Sequence, residues 1–595
     1  MRQYFEKMDP LGKPLKPYEI DEMADNRAQI AAMLKELEAE VARVQAAGIP
    51  AERIRERGEM TVWDRIEYLV DPGTFCPLHT LYNPRANEEG TTGVVDGLAR
   101  IRGKWCVVIG FDNKVLAGAW ISGQAENQLR VTDLAKRLHV PLVWLVNCSG
   151  VKLPEQAEVY ADRRGHGTTF FRHAELEKLG VPILAGIYGT NPAGGGYQSI
   201  SPTMLFAHKN ANMAVGGAGI VSGMSPRGGF DEESAEQIIK ATRAFKEAPP
   251  GSARVHHDVT GFFRAVFDTE AQVLDALKDA MAQMPAYDPK FFRVAAPDEP
   301  AYAAAELESI VPMNPKAVYN LEDVLARVVD ASEHLEFRPD FGPEVYTGLV
   351  KVDGLLVGVV GNRQGLLGMQ YPEYATDYVG IGGKLYRQGL IKMSEFVTHC
   401  GRDRVPIVWV QDTSGIDVGD TAEKAELLGL GQSLIYTIEQ TDVPMMLVVL
   451  RKGTAAAHYV MGGPTANNHN AFTLGTPSTE IVVMHGETAA VASYSRRLVR
   501  EKDAGKPLTP IIDQMNALAR KYHDESRPIY CAKRGFVDEV VRYDTIRRYL
   551  VAFAGAAYQN PTSICPQHHL LLPRLIRSQI VTGLPRSRKA ATKPR

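Results

Sequence analysis

Three consecutive glycines, Gly194, Gly195 and Gly196, follow an apolar run that opens at Val181-Pro182. A strand that turns through such residues into a helix aims main-chain N–H groups and the positive helix end at one point, where an oxyanion would sit. The competing reading is a tight turn that uses glycine only for positive φ. A second copy favours the oxyanion. Val443-Pro444 opens another apolar run, and Ala455, Ala456 and Ala457 stand where the first run has small residues; Gly194 and Ala456 each lie 13 positions beyond their valine. Each copy also has a partner turn, Ser149-Gly150-Val151 and Ser414-Gly415-Ile416, closing the related runs PLVWLVNCSGV and PIVWVQDTSGI. Two amides per copy can therefore converge, and losing one such donor costs ~3 kcal/mol of transition-state stabilisation.

Other chemistries find less support. Cys148-Ser149 sits at a strand end where nucleophiles occur, but no G-x-S-x-G elbow and no patterned histidine accompany it. His256-His257, His458 and His568-His569 lack the i, i+4 spacing with a carboxylate that a metal site would need, so no metal is expected. Val379-Gly380-Ile381-Gly382-Gly383-Lys384 matches neither GxxxxGK[ST] nor GxGxxG. Its glycines read as the approach to a helix, with Lys384 placed to meet a phosphate of an acyl carrier.

The elements that must hold these turns repeat as well. The runs beginning at Pro141 and Pro406 lie 265 positions apart and the Val-Pro pairs 262 apart, so a domain-sized unit occurs twice. Short β-rich runs at Val94–Val95, Trp105–Ile109 and Leu142–Val146 enclose a helix over Glu126 to Leu138. Leu355–Val360 and Ile407–Val410 likewise enclose one over Lys384 to Cys400. That alternation predicts an α/β fold with parallel strands and crossover helices. Apolar residues from Met23 to Val44 recur at helical spacing, which predicts an amphipathic helical arm within residues 1–75, ahead of a first domain over 76–310 and a second over 311–595. The Pro-rich stretch Pro285 to Pro315 marks the boundary, and the basic tail 585–595 reads as a solvated terminus.

Composition limits the partners. A formal net charge of −3 over 595 residues, with a pI near 6.6, gives no basic field for nucleic acid. Six scattered cysteines without a CxxC pair suit neither a disulfide framework nor a zinc ribbon. MRQYFEKMDPLGKP has charge and proline where a signal peptide has an apolar core, so a cytoplasmic chain is expected. The uncharged window Val181 to Ala207 holds five glycines and three prolines and does not suit a lipid-facing span.

NCSGVK with NPAGGGY, and QDTSGID with RKGTAAAHYVMGG, resemble the carboxyltransferase subunits of biotin-dependent enzymes over nearly the whole chain. Together with VGIGGKLYRQG they are most similar to the branch that decarboxylates glutaconyl-CoA. The resemblance implies two duplicated crotonase-like (ClpP/crotonase) β-β-α superhelix domains. It places the acyl-CoA thioester oxygen on the amides of Val151 and Gly194 or Gly195, and the biotin ureido oxygen on those of Ile416 and Ala456 or Ala457. Gly150, Gly196 and Gly415 would line the substrates.

The implied reaction moves the γ-carboxyl of glutaconyl-CoA to biotin, giving crotonyl-CoA and carboxybiotin. The implied partners are a biotin carrier subunit, since the chain has no AMKM-type lysine turn, a membrane-embedded decarboxylase subunit of a sodium pump, and a second copy of the chain in a homodimer or higher oligomer. Attachment would be peripheral, at the inner membrane, through those subunits. The alternatives are an acyl-CoA carboxylase β subunit of methylcrotonyl-CoA or propionyl-CoA type running in the carboxylation direction, and a non-catalytic scaffold for a biotin carrier. Relatives commonly have glycine where this chain has Ala455-Ala456, which would narrow the second turn.

Overall fold

A computed structural model describes residues 7–160, 163–200, 203–216, 230–247, 250–367 and 380–560; Cys565, His568-His569 and the tail 585–595 lie outside them. Two sheets carry the two copies. The first orders seven strands as Ala265–Phe267, Met204–His208, Ile183–Ile187, Leu142–Val146, Lys104–Phe111, Val94–Ile101 and Cys76–Leu78. The second repeats that order with Glu539–Val540, Asn470–Gly475, Met445–Thr454, Ile407–Thr413, Leu355–Asn362, Val345–Val352 and Glu333–Glu336, and adds Asp9–Pro10 at its edge. In both, the central strands pair in parallel and the last three pair antiparallel. Strands buried on both faces read as continuous apolar runs, as LVWLV does here.

The duplication extends to backbone detail. Val94–Ile101 and Val345–Val352 each turn back through two residues of positive φ, Arg102-Gly103 (53°, 77°) and Asp353-Gly354 (53°, 73°). That is the conformation a two-residue hairpin requires to match strand twist. The helices Gln124–Leu138 and Arg387–Asp403 both end on a left-handed residue, His139 and Arg404, 265 positions apart. Trp144 and Trp409, at the same separation, are both fully buried.

The copies share one continuous core, and elements from both chain ends fasten them. Ala24–Gln45 buries Ile30, Met33, Leu34 and Leu37 from the expected stripe. Its Asn26 donates to the carbonyls of Glu308 and Val311 (2.8 and 2.9 Å) and accepts from Met313 N–H (2.6 Å), which fixes the Pro-rich connection. The helix Ile546–Gln559, near the C-terminal end, crosses to the first sheet. There the Gln559 amide bonds both the N–H and the C=O of Trp105, beyond the point where Leu142–Val146 begins to pair, while Tyr558 OH donates to Leu356 O in the second sheet (2.9 Å).

A buried ionic cluster reinforces this seam. His79 contacts Asp96 through Nδ1 (2.8 Å) and Asp538 through Nε2 (3.0 Å), and Arg130 also donates to Asp538 (2.8 Å). Burial alone would push His79 down, but the two carboxylates outweigh it and hold the imidazole up at about 9. Burial raises neighbouring Glu539 to about 8, against the bond it accepts from Thr80 N–H. Both groups therefore hold protons more tightly when folded than their usual values near 6.5 and 4.3 allow. Stability from His79 is complete below pH 6.5 and is lost as pH climbs to about 9; that from Glu539 declines from about pH 4.3 to 8. The urea midpoint is expected to fall between pH 6.5 and 9, and His79→Gln to flatten that fall. An unchanged slope in the variant would remove His79 from the account.

Candidate active site: two backbone turns

In the first copy the strand Leu142–Val146 runs on through Asn147, Cys148 and Ser149 to Gly150, whose φ is +100°. A parallel bridge joins Trp120 to Val151: Trp120 N–H donates to Gly150 O (2.8 Å) and Lys152 N–H to Trp120 O (3.0 Å). Such a bridge engages the residues on either side of Val151, so Val151 N–H points away from Trp120. The strand Ile183–Ile187 leads through Asn191 and Ala193 into the helix Gly194–Ile200. Tyr197 N–H reaches back to the carbonyl of Ala193 (3.0 Å), which places residues 194–196 in the first helical turn.

The three glycines serve close approach. None has positive φ; the left-handed residue is Ala193 (φ 50°). A Cβ at Gly194 would lie 2.3 Å from the Trp120 ring, and one at Gly195 would lie 2.8 Å from Cys148 O. The positive φ that the competing reading asks of the glycines falls one residue earlier. A Gly195→Val change would press on backbone, so it would disturb the fold as well as the amide. Asn191 ties the two segments together: its Oδ1 accepts from Cys148 N–H (2.8 Å), and its Nδ2 donates to Tyr188 O (2.9 Å) and Asn212 O (3.1 Å).

The second copy matches this geometry. Gly415 has φ +133°, Leu385 pairs in parallel with Ile416, and Asp417 N–H donates to Leu385 O (3.0 Å), so Ile416 N–H also points away from its bridge. Ala455 has φ +51°, 262 positions after Ala193, and opens the helix Ala455–Val460. An alanine held there adopts what glycine adopts without cost. Ala456 and Ala457 lie in the first turn of that helix, and the Thr454 side chain does not cap it. Gln411 and His458 do the bracing: His458 Nδ1 meets Gln411 Oε1 (2.7 Å) and Gln411 Nε2 donates to His458 O (3.3 Å). Lys384 falls on a two-residue strand ahead of the helix, not in it, and pairs with Asp417 (2.9 Å).

Side chains around the turns are poorly suited to acid–base work. Burial pushes the Cys148 thiol up to about 12, and Ser149 Oγ donates to Leu116 O (2.8 Å). Burial drives His166, which stacks on Trp120, and His458 down to about 4. Glu88, Glu89 and Glu155 draw together only around Lys152, which bonds all three. A cleft of about 1320 Å³ opens beside the second turn, lined by Ser414, Gly382, Lys452, Glu480 and His523 among others. Nearby in sequence, buried Asp412 accepts from Arg451 Nε (2.8 Å).

Asn191, Trp120, Gln411 and His458 escaped the sequence reading. The only signal available for the last pair was a polar Gln and His inside otherwise apolar or small-residue runs.

A profile described as the carboxyl transferase domain matches residues 53–571. The chain is 56% identical over 579 residues to the glutaconyl-CoA decarboxylase subunit alpha of Acidaminococcus fermentans, spanning 97% of this chain and 98% of that protein. It is 26% identical to the biotin-dependent 3-methylcrotonyl-coenzyme A carboxylase beta1 subunit of Mycobacterium tuberculosis, over 82% of this chain and 86% of that protein. Among solved structures, the beta subunit of P. aeruginosa geranyl-CoA carboxylase superposes with a TM-score of 0.72 at 21% identity, covering 92% of this chain and 96% of that one; it speaks for the fold alone.

Gly150 and Gly415 offer a cleaner test than Gly195. Each precedes a bridge residue, each has positive φ, and an added Cβ would have open space at Gly415 and meet only Pro192, at 3.5 Å, at Gly150. Alanine at either position strains the backbone by roughly 1–3 kcal/mol and re-aims the next amide. Carboxyl transfer is expected to slow roughly 100-fold in each variant while thermal unfolding moves little. Parent rates in both would show that the turns do no more than turn.

Proposed function

The chain belongs to the carboxyl transferase domain family, the biotin-dependent carboxyltransferases, and from that premise we propose that it moves the γ-carboxyl group of glutaconyl-CoA to biotin, leaving crotonyl-CoA. The observation that carries this reading is the pair of equivalent amide-bearing turns in a chain 56% identical, end to end, to a glutaconyl-CoA decarboxylase subunit. Breaking the bond from the γ carbon to the carboxyl leaves a dienolate whose negative charge reaches the thioester oxygen through the conjugated double bond. Val151 with Gly194 or Gly195 receives that oxygen, and Ile416 with Ala456 or Ala457 receives the oxygen of the second substrate. Donors fixed before reaction stabilise charge without reorganising.

Biotin, carried on a separate subunit, supplies the urea nitrogen that takes up the carboxyl group and releases the proton that completes crotonyl-CoA, so the balance closes without a side-chain acid. The second turn suits a urea: it offers N–H donors only from main chain, its residues are small, and the adjoining cleft of about 1320 Å³ has room for the ring and its arm. The buried, neutral His458 and the high thiol of Cys148 are consistent with chemistry that asks no proton of the protein.

The partner of each turn is the other turn of a second copy. Two residues past the bridge, Leu153 and Val418 are 75% and 79% exposed; three residues into the helical turns, Tyr197 and Tyr459 are 51% and 43% exposed. Equivalent apolar side chains thus ring both turns, with Phe171 and Leu428 adding to them, and exposed apolar patches of this kind mark association surfaces. Facing the first turn of one protomer with the second turn of another covers both and brings the two oxygens together. No described helix is long and apolar enough to cross a membrane, so a sodium-pumping assembly would draw its membrane-embedded subunit, and any attachment at the membrane, from other chains.

Purified protein given glutaconyl-CoA is expected to form crotonyl-CoA only when free biotin is added, and to show no biotin of its own on a streptavidin blot. Turnover without biotin would overturn the reading. A marked preference for a methyl-branched glutaconyl thioester would transfer it to the methylcrotonyl-CoA carboxylases, and complete inertness would favour a scaffold. Val418→Glu with Leu428→Glu is expected to lower the mass in sedimentation towards a monomer and to abolish turnover while circular dichroism is kept. A monomer of full activity would remove the second copy from the site.

A further inference from the structure

The two turns differ in how they are braced, and the difference falls on the half assigned to biotin. In the first copy Asn191 spans the gap between strand end and helix start. The position 262 residues on is Gly453, where an added Cβ would lie 2.9 Å from Gln411 Oε1 and 3.0 Å from His458 Nδ1. The space an asparagine fills in one copy is filled in the other by a pair that enters from both sides. Gln411 comes from the strand that leads to Ile416, and His458 from the helix that carries Ala456 and Ala457.

We propose that Gln411 and His458 are the positioning residues of the second turn, holding the amides of Ala456 and Ala457 in register with that of Ile416. The pair closes a ring in which His458 Nδ1–H donates to Gln411 Oε1 and Gln411 Nε2 donates to His458 O. The same carbonyl accepts from Gly463 N–H (3.1 Å), which anchors the far end of the short helix. Gln411 is fully buried and His458 7% exposed, so neither has water as an alternative partner of consequence. Ala455 needs such a brace, because its left-handed backbone is unfavourable for alanine and persists only where its surroundings fix it. Burial keeps His458 neutral down to about pH 4, so the brace is constant across the working range.

This inference rests on the functional reading above for its kinetic arm alone. His458→Phe keeps the ring and removes the donor; His458→Asn restores an N–H near the Nδ1 position. With the full chain, glutaconyl-CoA and free biotin, His458→Phe is expected to lower kcat/KM for biotin about tenfold or more, the scale of one buried hydrogen bond. KM for glutaconyl-CoA should stay within about twofold, and His458→Asn should recover most of the loss. Asn191→Ala is expected to show the reverse split. Amide hydrogen exchange forms the second arm and needs no turnover: His458→Phe should speed exchange across 454–461 and leave 191–197 unchanged. Parent-like exchange in 454–461, a loss shared equally by both substrates, or a His458→Asn protein no better than His458→Phe would each overturn the proposal. A parent protein inert towards biotin whose exchange still follows the pattern would overturn the functional reading and leave the brace standing.

Discussion

A parallel strand pairs through the residues on either side of each bridge position, and that alternation is the constraint from which both turns follow. Once Gly150 O and Lys152 N–H are committed to Trp120, the amide of Val151 has to face the other way, and Leu385 imposes the same on Ile416. Everything else keeps that outward amide useful. Glycine at 150 and 415 allows the strand to leave its sheet at positive φ, and a left-handed alanine at 193 and 455 precedes or opens the next helix. The Trp120 ring reaches Gly194 because no Cβ stands between them. In the proposed function the donors belong to the backbone, so the site would be a property of the path of the chain, and side chains would act on it by fixing that path.

Much of this could be read from residue order. The Val-Pro pairs and the two SG turns located the four turns themselves, because a strand end followed by small residues has few other readings and two copies constrain each other. The duplication itself reached further than the letters suggested, down to the hairpin at Arg102-Gly103 and its counterpart at Asp353-Gly354. Helix limits were less legible. Lys384 was expected inside a helix because glycines preceded it, yet two residues there pair as strand before the helix opens at Arg387.

What stayed hidden depended on separation along the chain. Asn191 reaches Cys148 across 43 positions and His458 reaches Gln411 across 47, and neither spacing has a periodicity to betray it. The triple glycine had a further cause that the letters could not show: the ring of Trp120 and the carbonyl of Cys148 exclude a side chain at Gly194 and Gly195 on steric grounds. Alanine at positive φ was equally unforeseeable, since propensity argues against it and only the surrounding fold decides.

The helix Ile546–Gln559 has a bearing on how the chain comes into being. Trp105, in a central strand of the first sheet, has its N–H and C=O satisfied by Gln559, 454 residues later. On a ribosome the first sheet emerges complete in strands long before that amide exists, and it must wait with a buried edge unfilled and an apolar face uncovered. The duplication gives a pair of units that could mature one after the other, but this helix makes the first unit's completion wait for a segment 454 residues beyond Trp105. Newly made chains therefore pass through a long interval in which a finished-looking half is still open, and the second copy has to be made before the first is closed.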